Sequence, residues 1–132
     1  MYLLDTNAWI DCLKNRASPV AKRLATVDPS DVVSCAVVRA ELYFGALRSK
    51  DPPTRWAEAQ AFLAPFRSLP FDDVAADVHS AVRLELTVKG NLIGPHDLLV
   101  SAIALANGLV VVTHNTKEFN RVPGLVVEDW QT

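Results

Sequence analysis

Leu109–Thr113 reads Leu-Val-Val-Val-Thr, a run apolar on both faces that ends in a polar turn. A strand that is apolar on both sides belongs in a sheet covered on both sides, the arrangement of parallel α/β proteins. Shorter runs at Tyr2–Asp5, Asp31–Ser34, Ser68–Phe71 and Leu125–Val127 read the same way, and helical patterns separate them. Neighbouring parallel strands need long crossovers, which helices supply. The expected fold is therefore α/β, a single three-layer α/β/α sandwich with a central parallel sheet. At 132 residues it fits one domain, taken as 1–132.

The helices carry their own punctuation. Thr6 or Asn7 is expected to cap a first helix that continues through Trp9, Ile10 and Leu13. Ser18-Pro19 opens a second, running to about Val27, and a long third spans about Cys35 to Ser49. Asp51-Pro52-Pro53-Thr54 starts a fourth that ends near Pro65. Asp72 or Asp73 caps a helix to Lys89, with Gly90 as its left-handed stop, and Gly94-Pro95-His96-Asp97 opens the last long one, to Asn107-Gly108. Pro70 keeps the Ser68–Phe71 strand short.

Composition excludes several classes. Half the residues are apolar and 21% are charged, which argues against disorder. No apolar run approaches the roughly 20 residues of a membrane span, and the N-terminus lacks a basic leader region. Cys12 and Cys35 have no metal or redox spacing and read as small core residues of a reducing compartment, so a cytoplasmic location with no membrane partner is expected. A formal charge of −2 and a pI near 5.9 do not suit a protein that grips phosphate through a general positive field. They leave room for an enzyme that meets nucleic acid at one metal-neutralised site. The basic groups Lys14, Arg16, Lys22, Arg23 and Arg39, Arg48, Lys50, Arg55 read as solvated helix faces.

In parallel sheets, ligands sit beyond the carboxyl ends of the strands. Asp5 ends the first strand, Asn115 follows the strand closing at Thr113, and Asp97 opens the preceding helix, so all three can project near one sheet edge. Glu41 lies in an apolar helical stretch, where an ionised carboxylate needs a partner. Gly45, one turn on, permits close approach. Each acid has an ordinary explanation as a cap, a dipole partner or a solvent-facing residue. Converging acids raise one another's pKa unless a cation neutralises them. A hard divalent cation with oxygen ligands suits Asp5, Glu41 and Asp97; Mg²⁺ is the default, and Mn²⁺ fits the same shell. His79, His96 and His114 are not spaced as a zinc set, but His96 and His114 flank the presumed site. A dimer face is expected among Trp9, Tyr43, Trp56, Phe62 and Phe66.

Taken in order, these residues resemble the PIN domain family. Leu3-Leu4-Asp5-Thr6-Asn7 is similar to its opening and Ala40-Glu41-Leu42-Tyr43-Phe44-Gly45-Ala46 to its central helix. Asp97-Leu98 with Ala102, Ala104 and Ala106, then Val112-Thr113-His114-Asn115 and Phe119, resemble its C-terminal half. Val122-Pro123-Gly124-Leu125 and Trp130 also fit the small VapC-type toxins of toxin–antitoxin modules. The resemblance implies a Mg²⁺- or Mn²⁺-dependent endoribonuclease acting on an RNA substrate, a homodimer, and a cognate antitoxin whose tail covers the acidic site. It assigns Asp5, Glu41, Asp97 and Asn115 to catalysis, with Asp5 and Asp97 as direct metal ligands and Glu41 either completing the shell or orienting the attacking water through an outer-sphere contact. Thr113 matches a residue that helps to hold the first aspartate. Asn115 is the departure: many relatives carry aspartate there, and the nearest acid here is Glu118.

Two other classes remain open on the sequence. One is a non-catalytic PIN-like module that binds RNA or protein without cutting. The other is an aspartate-based phosphotransfer domain, for which Asn7 stands where a second acid is needed and Lys117 alone is poor support.

Overall fold

Tyr2–Leu4 (β1), Val32–Cys35 (β2), Arg67–Leu69 (β3), Val110–Val112 (β4) and Val126–Glu128 (β5) form one parallel sheet in the order β3-β2-β1-β4-β5. This is seen in a computed structural model that describes residues 1–131; Thr132, the last residue of the expected domain, lies outside them. The sequence pattern explains the order. Leu3, Leu4, Val32, Val33, Val111 and Val112 are buried, as inner strands require, while Arg67, Ser68 and Val126 leave the two edges exposed. Pro70 follows β3 directly, where a missing N–H costs an edge strand least.

Seven helices, among the described residues, cover the sheet: α1 (Thr6–Lys14), α2 (Pro19–Thr26), α3 (Ala36–Leu47), α4 (Pro52–Leu63), α5 (Asp73–Val88), α6 (Pro95–Ala106) and α7 (Thr116–Phe119). The expected three-layer α/β/α architecture is the one found. Ser18, Asp51 and Asp72 cap α2, α4 and α5 through their side chains. Gly90 and Gly108 turn the chain at φ +68° and +65°, which other residues adopt only with strain. Two expectations need correction. The cap of α1 is Asp5, not Thr6 or Asn7, because the chain turns directly from strand into helix. The short α7 was not expected at all; four residues are too few to show a helical period.

Packing also revises the expected dimer face. Trp9 is fully buried and meets Phe62 and Phe66 edge-on, at ring separations of 5.7 and 4.9 Å. It fastens α1 to α4 and the chain leading into β3, and so cannot lie at a surface. Tyr43 is buried and stacks on Trp56, the one exposed member of that set. Cys12 and Cys35 are buried free thiols, as expected. Among the described residues no helix is long and apolar enough to cross a membrane.

The strand order places the reversal at β1, with β2 on one side and β4 on the other. The crevice beyond the carboxyl ends of β1 and β4 is where such a sheet accepts a ligand.

Candidate active site

Asp5 is the first residue past β1, and its own N–H still donates to the Val112 carbonyl at 2.9 Å, which extends the ladder towards β4. Its side chain then turns into the crevice and is held at both oxygens. Ala8 N–H donates to Oδ1 at 2.8 Å, and the Thr113 hydroxyl donates to Oδ2 at 2.6 Å. Thr113 Oγ1 in turn accepts the Asn115 N–H at 2.9 Å. The residue is only 3% exposed. Burial pushes its pKa up; the Thr113 and Ala8 bonds oppose this without cancelling it, and the charges of Asp11 and Asp129 add to it.

Asp97 approaches from the first turn of α6. The cap residue is Gly94, so Asp97 stands where an acid commonly reaches back to bond the cap's own N–H. Here Glu118, from α7, takes that N–H instead, with Oε1 at 3.2 Å from the Gly94 nitrogen. The Asp97 carboxyl is left beside the open face of Gly94, where a Cβ would stand 3.7 Å from its Oδ2. Desolvation pushes the Asp97 pKa up to about 6, with further contributions from the charges of Asp5 and Glu118 and a hydrogen bond to Glu118; His96 opposes them. Glu118 is lowered, first by the Asn115 side-chain amide that donates to it. The proton of that carboxyl pair therefore belongs to Asp97.

Glu41 enters from α3 and meets a different partner: its Oε1 lies 3.2 Å from His96 Nε2. Asp5 and Glu118 are the carboxylates that raise Asp97; Glu41 is not among them. The fold thus joins Asp5, Asp97, Thr113, Asn115 and Glu118 into one bonded group and brings Glu41 to its border through His96. Asn115 faces Glu118 with its side chain and Thr113 with its backbone, so it both makes the turn after β4 and touches the acids. The sequence reading left Glu118 without a role. Its signal was the three-residue spacing from Asn115, which only becomes a contact once α7 forms.

Among the described residues no group of three or more His, Cys, Asp or Glu side chains is already spaced as a metal centre. The donor chemistry nonetheless fits a hard divalent ion. The available groups are carboxylate oxygens, those of Asp5 and Asp97 drawn close together beside the end of β1, and such oxygens are the donors a hard divalent ion takes. The phosphotransfer alternative finds little here: Asn7 and Lys117 are both exposed. The basic groups behave as solvated faces, with Arg16, Arg23, Arg39 and Arg48 lying over the rings of Phe62, Trp130, Tyr43 and Phe44.

The profile of the family described as PIN domain matches residues 2–125. The chain is 35% identical over 129 residues to the tRNA(fMet)-specific endonuclease VapC of Salmonella typhimurium, covering 98% of this chain and 97% of that protein. It is 30% identical over 131 residues to Ribonuclease VapC2 of Rickettsia felis, covering 98% of each. Among solved structures, DNA-bound VapBC from Salmonella typhimurium matches with a TM-score of 0.92 at 35% identity, over 98% of this chain and 97% of that one. VapBC2 from Rickettsia felis, bound to a promoter DNA fragment, matches with a TM-score of 0.91 at 29% identity, over 98% of each chain.

Proposed function

This chain belongs to the PIN domain family, in its VapC branch, and on that premise we propose that it is the endoribonuclease of a toxin–antitoxin pair, cutting RNA with Asp5, Asp97 and Glu41 around a divalent cation. The observation that carries the reading is the meeting of Asp5 and Asp97 at the end of β1, with Asp97 raised to about 6. Asp5 and Asp97 are the residues that would hold the ion directly; Glu41 completes its surroundings, and Mg²⁺ or Mn²⁺ suits these oxygens. When bound, such an ion supplies positive charge against the scissile phosphate and acidity to the attacking water.

The protein's own part is positioning. Thr113 and Ala8 fix both oxygens of Asp5, so that its remaining lone pairs keep one direction. Glu118 occupies the Gly94 N–H and leaves Asp97 turned to the crevice. His96 holds Glu41 at the border, where the carboxylate can accept a proton from water on the substrate side. Asn115 keeps Glu118 and Thr113 in register.

The partner of the chain is a cognate antitoxin, as the VapBC assemblies that share its fold indicate. The proposed working location is the cytoplasm. The proposed homodimer has exposed apolar residues available on α3 (Phe44, Leu47) and α5 (Leu84, Val88). The test is digestion of total cellular RNA with Mg²⁺ and with a chelator, the cut sites being mapped by sequencing. Discrete cuts that vanish with the chelator and return with Mg²⁺ or Mn²⁺ are expected. Cutting that ignores the chelator removes the cation from the reading, and a folded protein that binds RNA without cutting it is the non-catalytic module instead.

A further inference from the structure

A cavity of about 400 Å³ opens beside Asp5, away from Asp97, between α1, the end of β4 and the segment after β5. That is the size of a small-molecule site. Its lining mixes apolar surface from Ala8, Val20, Val112 and Trp130 with polar groups that hydrogen bonds hold in place. Gln131 is clamped across the top of α1 and α2: its side-chain amide donates to Asp11 Oδ2 at 2.9 Å, and its Oε1 accepts the Val20 N–H at 3.2 Å. Asp129 accepts the Gln131 N–H on one oxygen at 2.9 Å and meets His114 Nδ1 with the other at 3.0 Å. Because a carboxylate only accepts, the Nδ1 proton faces Asp129, and in that tautomer of the uncharged ring Nε2 is an acceptor. Asp11 keeps Oδ1 for a ligand, and the carboxamide of Asn7, one turn before it on α1, is exposed at the mouth.

These groups sort the parts of a nucleotide. With Asp5, Asp11 and Asp129 around it, the cavity repels phosphate, which would lie outside it, where a cation held by Asp5 and Asp97 offsets the carboxylate charge. The free acceptors Asp11 Oδ1 and His114 Nε2 seek N–H donors. We propose that this cavity is a base subsite of the ribonuclease, taking the nucleobase next to the scissile phosphate and favouring bases with an exocyclic amine over uracil through Asp11 and His114. Carboxylates accept from such amines in nucleic-acid recognition, and a side chain that reads one base edge gives tenfold discrimination or more. The inference rests on the reading of the chain as an RNA-cutting enzyme and adds which bases it selects.

The experiment uses the full chain without metal and titrates it with AMP, CMP, GMP and UMP, following side-chain amide signals of Asn7 and Gln131 by NMR. AMP, CMP and GMP should move both signals, with UMP roughly tenfold weaker. Asp11→Asn retains an oxygen for the Gln131 bond and adds a donor, so it should bind UMP as well as the other three. His114→Ala, at an exposed position, should weaken all four without unfolding the chain. Equal binding of the four nucleotides to the unaltered protein, or signals that stay still, overturns the subsite. Parallel digestion of RNA separates the two readings: cutting without these shifts rejects the subsite alone, whereas base-selective shifts without cutting reject the enzyme and leave the subsite standing.

Discussion

Asp5, at the end of β1, and Glu41, on α3, are held in opposite ways. Asp5 is almost fully buried, and both of its oxygens accept hydrogen bonds, one from the backbone of α1 and one from Thr113. The Glu41 side chain is 32% exposed, and its contact is with a histidine that is itself 62% exposed. The first arrangement costs desolvation and gives one fixed direction. The second costs little and leaves the carboxylate free to adjust to what arrives. Under the proposed reading, in which the site holds an ion and admits a long polymer, one rigid wall and one soft one serve both tasks.

The largest test removes a charge from the rigid wall's partner. Asp97→Asn keeps the size and leaves Glu118 on Gly94, yet the crevice loses one of the two carboxylates proposed to hold the cation. Cleavage should fall by roughly 10²–10³-fold or more, the scale of losing a preorganised electrostatic group. Stability in chelator should move the other way. In the unaltered chain, Asp97 has a folded pKa of about 6 against 3.8 for the free group, so the folded state binds the proton more tightly. Stability from this group is complete below about pH 3.8 and is lost as pH rises through about 6. Asp97→Asn escapes that loss. Its thermal midpoint should exceed that of the unaltered protein at pH 7.5, and the gap should close near pH 4. A variant that melts lower at both pH values would mean that the acid is structural.

Much of this was legible before the fold was seen, and the reasons differ by residue. Asp5, Asp97 and Asn115 announce themselves by standing at strand and helix ends, because a parallel sheet brings those ends together whatever the details. The buried Leu-Val-Val-Val run fixed β4 for the same kind of reason: burial on both faces leaves few alternatives. Trp9 was misread because composition shows that a large ring is present but not which face of α1 turns inward. Glu118 stands out in the sequence only as the acid nearest Asn115, and Asp129 not at all, because their roles depend on α7 and on the chain after β5 folding back, contacts between distant residues that no local period encodes. Thr113 was identified only through resemblance, and the 2.6 Å bond to Asp5 supplies its physical cause.

Thr113→Val asks how much of the rigidity matters. The substitution keeps the branched shape and removes the hydroxyl that links Asp5 Oδ2 to the Asn115 N–H. Supporting groups around a metal ligand typically contribute 10–100-fold in affinity or activity. A loss of about that size is expected, read as a higher Mg²⁺ concentration at half-maximal cleavage, and Thr113→Ser should restore most of it. A Thr113→Val enzyme with an unchanged Mg²⁺ requirement would show that Ala8 N–H alone orients Asp5.

His96→Ala addresses the soft wall and should have the smallest effect. The His96–Glu41 contact joins an exposed ring to a half-buried carboxylate near the surface, and surface pairs contribute about 0–1 kcal/mol. Global stability should therefore change by no more than about 0.5 kcal/mol, as for most surface substitutions. Cleavage should drop by less than about tenfold, because Glu41 remains present on α3 and loses only its tether. The informative quantity is where that drop appears. A tether that merely holds Glu41 near the crevice changes how often the carboxylate is in place, which lowers kcat and leaves the Mg²⁺ requirement unchanged. If His96→Ala instead raised the Mg²⁺ requirement as far as Thr113→Val does, Glu41 would be as firmly positioned as Asp5 once RNA and metal are bound. The difference between the two walls would then belong to the empty protein alone.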